Sequence, residues 1–93
     1  MEQNLIKSEI ESRIFTIRGK QVIIDRDLAE FFQTSTKRLN EQVKRNAIRF
    51  PDSFYFQIDK KEKQELVAIC DRLKSLKHST AFPFAFTEHG IAI

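Results

Sequence analysis

Ninety-three residues, of which 41% are apolar and 31% charged, with nine Phe but only two Gly and two Pro, describe one globular domain with a modest core and exclude a disordered or low-complexity chain. The formal charge is only +3, no apolar run reaches the roughly 18 residues of a membrane span, and Met1-Glu2-Gln3-Asn4 lacks the pattern of a secretion signal, so a cytoplasmic location is expected. A single Cys70 rules out an internal disulfide, and with His78 and His89 it forms no zinc spacing, so neither a metal nor any other cofactor is expected.

After a polar lead-in with helical spacing (Leu5, Ile6, Ser8, Ile10), the β-branched runs 13–18 and 21–25 flank Gly19-Lys20. This is a hairpin signal, and Gly first in a two-residue loop predicts a type II′ turn. Asp25 then ends the strand and is placed to cap a short helix, 26–32, whose Leu28, Phe31 and Phe32 fall on one face. Ala29 is small enough to let a second helix approach. Gln33-Thr34-Ser35 reads as a turn with hydroxyls able to cap that second helix.

The segment from Thr36 to Arg49 is the most informative. It holds five bases (Lys37, Arg38, Lys44, Arg45, Arg49) and one acid (Glu41), a net +4 in a chain of +3, which leaves the remaining residues at −1 together. On a helical wheel Leu39, Val43, Ala47 and Phe50 form the inward stripe. Lys37, Arg38, Glu41, Lys44 and Arg45 lie opposite, with Gln42 and Arg49 at one margin and Asn40 at the other. Ile48 also points outward, with no partner evident from the wheel. A basic surplus confined to one amphipathic helix is the footprint of an element facing phosphate.

Pro51 is expected to end this helix at Phe50. A strand follows, with Phe54, Phe56 and Ile58 alternating with Tyr55 and Gln57. Asp59 and Glu62 make a cap pair opening a third helix to about Leu76, with Leu66, Ile69, Cys70 and Leu73 as its stripe. Residues 77–81 read as a loop. Phe82, Phe84 and Phe86 alternate in a strand that can pair with 54–58, and Thr87 is placed to cap one more helix. The predicted fold is α+β: an N-terminal β-hairpin, a helix-turn-helix, then a second strand pair with an intervening helix. The chain is one domain over 1–93, and its apolar, uncapped end Ile91-Ala92-Ile93 suggests the N-terminal part of a longer protein.

Ile17-Arg18-Gly19, Val22-Ile23-Ile24-Asp25, Asp27-Leu28-Ala29, the run from Thr36 to Asn46, Arg49-Phe50-Pro51, Phe54-Tyr55-Phe56-Gln57 and Phe84-Ala85-Phe86-Thr87-Glu88-His89-Gly90 together resemble the ORF-six-N domain over about residues 13–93. The resemblance implies a DNA-binding module, related to the KilA-N and Bro-N domains of phages, prophages and large DNA viruses, at the N-terminus of transcription-regulating, antirepressor-like proteins. Where that family often carries a turn glycine, this chain has Gln33.

The residues and the resemblance lead to one expectation: binding of double-stranded DNA through a recognition helix at about 35–49. The second helix of such a motif enters the major groove with its N-terminal residues near base edges. Lys37, Arg38 and Glu41 are therefore the candidate base readers, with Lys44, Arg45 and Arg49 as phosphate contacts. Thr36, Asn40 and Gln42 complete the candidate set, the two amides suiting adenine, phosphate or backbone. The hairpin tip offers Arg18 and Lys20 as wing contacts, or simply a solvated turn. The bland reading of the helix is a solvated surface with Glu41 and Arg45 as an i,i+4 pair. The alternative function is a protein-protein interaction or homodimerisation module docking on an acidic partner; a third is RNA binding. The Phe residues read as core, leaving Tyr55 as the aromatic able to stack on bases. His89 has no nucleophile elbow, paired base or phosphate loop beside it, so neither enzymatic activity nor a small-molecule substrate is expected.

Overall fold

Val22, Ile23 and Ile24 in succession are all buried, which an edge strand with one wet face cannot achieve. The computed structural model, which describes residues 10–88, explains why. Strands β1 (Phe15–Ile17), β2 (Lys20–Ile24), β3 (Tyr55–Gln57) and β4 (Phe84–Thr87) form a single antiparallel sheet in the order β1-β2-β4-β3, with helices on both faces. Helices α1 (Asp25–Phe31), α2 (Thr36–Arg45) and α3 (Lys60–Ile69) and the 3-10 segments Ala47–Arg49 and Asp71–His78 complete an α+β domain. Among the described residues no helix is long and apolar enough to cross a membrane.

The expected strand pair is present, with Phe56 opposite Ala85 and Gln57 opposite Phe84. The same β4 also pairs with β2, setting Ile23 opposite Phe86, so the last strand welds the hairpin to the second pair. Side-chain alternation then sorts the core into two layers. Val22, Ile24, Ile58 and Ala85 pack with Leu66 and Leu73 under α3 and the longer 3-10 helix. Ile23 and Phe86 pack with Leu28, Ala29, Leu39 and Val43 under α1 and α2.

Several expectations are corrected. The hairpin loop is Arg18-Gly19 rather than Gly19-Lys20: Lys20 already pairs with Ile17, and φ is 55° at Arg18 and 72° at Gly19. Two successive left-handed residues suit a type I′ turn, whose twist matches the strands. Asp25 is the first residue of α1 rather than its cap; Ile24 holds the cap position, without a side-chain hydrogen bond. Phe32 is 59% exposed instead of buried, because α1 ends at Phe31.

The second helix stops at Arg45, before Pro51 can act. Asn46 ends it, donating its backbone N–H to Gln42 and Val43 carbonyls and its Nδ2 to the Gln42 carbonyl at 2.9 Å. Ala47 therefore lies exposed outside the stripe, and Ile48 is 98% exposed.

The expected cap pair is a full capping box, Asp59 Oδ1 accepting from Glu62 N and Glu62 Oε1 accepting from Asp59 N, both at 2.8 Å. Its helix, however, ends at Ile69. Cys70 is extended (φ −133°, ψ 111°), and the chain restarts as a 3-10 helix where a continued helix and then a loop were expected. The break leaves Ile69 73% exposed and seats Leu73 in the core.

Tyr55 is also reassigned. Its ring lies nearly parallel to Phe86 (centroids 5.7 Å, 20°), beside Phe84 (5.4 Å), with Phe50 edge-on at 6.0 Å, so it belongs to the α1/α2 layer and is not a free stacking surface. Thr87, expected to cap a further helix, directly precedes the helical Glu88, and its hydroxyl donates to the carbonyls of Ser53 and Phe54. The expected helical lead-in at Leu5, Ile6 and Ser8, together with His89 and the apolar end 91–93, lies outside the described residues.

Candidate nucleic-acid interface

Two hydrogen bonds set the turn before α2. Thr34 N donates to the Ala29 carbonyl at 3.0 Å, and Gln33 N to Glu30 at 3.1 Å. Gln33 carries the bend at φ 55°, a left-handed conformation that costs a non-glycine residue about 1–2 kcal/mol. Ser35 then starts the helix, its Oγ accepting from Arg38 N at 3.1 Å. Leu39 and Val43 dock on Leu28, Ala29, Ile23 and Phe86, and this apolar contact decides which way the rest of α2 faces.

What faces out is cationic. Lys37, Arg38, Glu41, Gln42, Lys44, Arg45 and Arg49 are all exposed, while Thr36 is half-buried. Lys44 and Arg45 sit in the last turn, where the helix dipole favours positive charge. The Glu41–Arg45 pair of the solvated-surface alternative is not among the ion pairs formed by the described residues.

The arginines divide sharply. Arg13 donates to Glu30 Oε2 at 2.6 Å and reaches Asp27, Arg72 bonds Asp27, Arg26 donates to Ser75 Oγ at 2.6 Å, and Arg18 grips Glu62 through Nε at 2.8 Å and Nη2 at 3.0 Å. Arg38, Arg45 and Arg49 make no side-chain hydrogen bond or ion pair with any described residue. Arg18, one of the two wing candidates, also lies over the Phe56 ring at 4.4 Å, and the hydrogen bond it donates to Glu62 holds its pKa above the ordinary arginine value. Its side chain is thus engaged, whereas Lys20 is exposed.

Asn40 is turned inward. Its Nδ2 donates to Asp25 Oδ2 at 2.9 Å, the oxygen that also accepts from Phe84 N at 3.2 Å, while Asp25 Oδ1 accepts from Arg26 N at 2.7 Å. One buried carboxylate thereby joins α1, α2 and β4. Reading Asp25 as a simple cap missed this junction; the available signal was an acid directly after the apolar run Val22-Ile23-Ile24 and an amide at the margin of the wheel. Among the described residues there is no group of three or more His, Cys, Asp or Glu side chains able to hold a metal.

The family model of the ORF6N domain matches residues 12–93. The chain belongs to the ORF6N family. This is the resemblance carried by the motifs from Ile17 to Gly90, and the ORF6N domain is a phage-type family compatible with a regulatory module. No curated protein and no solved structure matches this ORF6N chain. In the ORF6N framework the run from Thr36 to Asn46 is α2 and its stop, and the Asp25 junction lies within the matched segment.

Proposed function

We propose that this ORF6N domain binds duplex DNA through the outward face of α2 and the adjoining Arg49. The carrying observation is the division of the arginines: those on this ridge have no side-chain partner among the described residues, whereas Arg13, Arg18, Arg26 and Arg72 are all engaged. Unpaired guanidinium and ammonium groups on a rigid helix are pre-organised for phosphate, since no internal contact has to break.

In this reading Lys44, Arg45 and Arg49 neutralise phosphates, and Lys37 and Arg38, in the first turn of α2, approach base edges with Glu41 and Gln42 beside them. Asn40 positions the helix and leaves the contact set. Such a module suits a phage-type transcription regulator of the antirepressor kind, acting in the cytoplasm without catalysis.

The test is fluorescence anisotropy with random duplex DNA over a salt series. Three phosphate contacts give a slope of log K against log salt of roughly −2.7, and Lys44→Glu with Arg45→Glu flattens it by roughly 2 while weakening binding on every sequence. A double variant binding as well as the parent rejects the reading.

One observation favours a second reading, a homodimer or an acidic protein partner: Ile48, beside Arg49, is a fully exposed β-branched residue. Unrelated duplex DNA competes with binding under the first reading and not under the second. Preference for A-form or looped strands would turn the assignment to RNA.

A further inference from the structure

Lys63 is a buried cation without an anion. Only 8% of it is exposed, yet it belongs to no ion pair among the described residues. Its Nζ donates to the carbonyls of Ser79 and Ala81 and lies 5.3 Å from the centre of the Phe82 ring, which leaves one of its three N–H groups unused. Lysine is rarely buried without a charged partner, because carbonyls and a ring offset only part of its lost hydration.

The ammonium borders an open groove of about 560 Å³, a volume in the usual range for small-molecule sites. Lys60 and Lys77 bring two more positive charges to it, Val67, Ala68 and Phe82 supply apolar wall, and no acid is among its described lining residues. The capping box already satisfies the start of α3, so the helix end is not what creates this site. The groove also lies under the layer built on Leu66 and Leu73, with the sheet between it and α2.

We propose that this groove binds a small ligand joining an anionic group to a flat ring, of the nucleoside phosphate class. The anion meets Lys60, Lys77 and the unused N–H of Lys63, and the ring lies against Phe82, Val67 and Ala68. The site is separate from the DNA-binding reading and stands if that reading fails.

The test is titration of the full chain with adenosine monophosphate, adenosine and inorganic phosphate, followed by calorimetry and amide NMR. Adenosine monophosphate is expected to bind with a Kd below about 1 mM, and each half at least about tenfold more weakly. The exposed-residue variants Lys60→Glu and Lys77→Glu each lower its affinity about tenfold with unchanged melting temperature, while Lys44→Glu with Arg45→Glu leaves it intact. The proposal is overturned by no binding at 1 mM, by phosphate or adenosine alone binding as tightly as the nucleotide, or by chemical-shift changes that gather on α2.

Discussion

Asn40 Nδ2 and Asp25 Oδ2, fifteen residues apart, meet at 2.9 Å where the basic helix crosses the start of α1. The Phe84 amide shares that oxygen, so the bond ties the orientation of α2 to the central strand. Replacing Asn40 with Ala leaves a buried carboxylate oxygen with one donor fewer and should cost about 1–3 kcal/mol in urea unfolding. Asn40→Asp, which sets a like charge against Asp25, should cost more. If Asn40→Ala unfolds at the parent's urea concentration, the junction contributes nothing.

Asp27 anchors a second junction. Its Oδ1 accepts from both Arg13, before β1, and Arg72, in the longer 3-10 helix, and its Oδ2 has no hydrogen-bond partner among the described residues. Asp27→Ala leaves two part-buried guanidinium groups without their shared anion, a loss of about 2–4 kcal/mol after allowance for their partial exposure. Because the carboxylate is buried, the difference from the parent should barely change between 50 mM and 500 mM salt; a loss that vanishes in salt would mean a screened surface pair instead.

On the outward face, position along α2 should separate two kinds of effect. Lys37→Ala or Arg38→Ala is expected to relax preference at single base pairs by roughly 1 to 3 kcal/mol each in a selection from random duplexes. Uniform losses on every sequence would place both residues with the phosphate contacts. Half-site symmetry among the selected sites would reveal a dimer.

Acid should loosen the Arg13–Glu30 contact. The hydrogen bond from Arg13 lowers the Glu30 carboxyl below its ordinary value of 4.5, followed by the Coulombic pull of the same guanidinium. A depressed folded-state pKa contributes stability that is present above the unfolded value and is lost as pH falls through the folded one. The melting temperature should therefore drop more steeply below that ordinary value in the parent than in Glu30→Gln. Parallel pH profiles would remove Glu30 from the account.

Local signals carried much of the fold. The hairpin, Ser35 as a helix start, the Asp59–Glu62 box and the Leu39/Val43 stripe all depend on residues within a turn or two of one another, so spacing alone reveals them. Among the candidate contacts, Lys37, Arg38, Glu41, Gln42, Lys44, Arg45 and Arg49 were legible for the same reason: once the stripe is buried, their exposure follows. Asn40 was not. At the margin of the wheel its direction depended on a partner in another element.

Periodicity was silent where distant segments competed. Tyr55 and Phe56 both alternate correctly, yet each is covered, because β4 enters between β2 and β3 and helices close both faces of the sheet. Likewise α3 breaks at Cys70, where the restarted chain brings Leu73 under the sheet and Arg72 to Asp27.

The order of amino acids alone determined that one amphipathic helix would carry the surplus charge, since a 3.6-residue repeat places apolar and basic groups on opposite sides whatever surrounds them. Tertiary structure alone decided which cations remain unpaired. Ion pairs such as Arg18 with Glu62 and Arg72 with Asp27 join residues more than forty positions apart, and only the folded sheet brings them within a few ångströms, leaving Arg38, Arg45 and Arg49 as arginines with no ion-pair partner among the described residues.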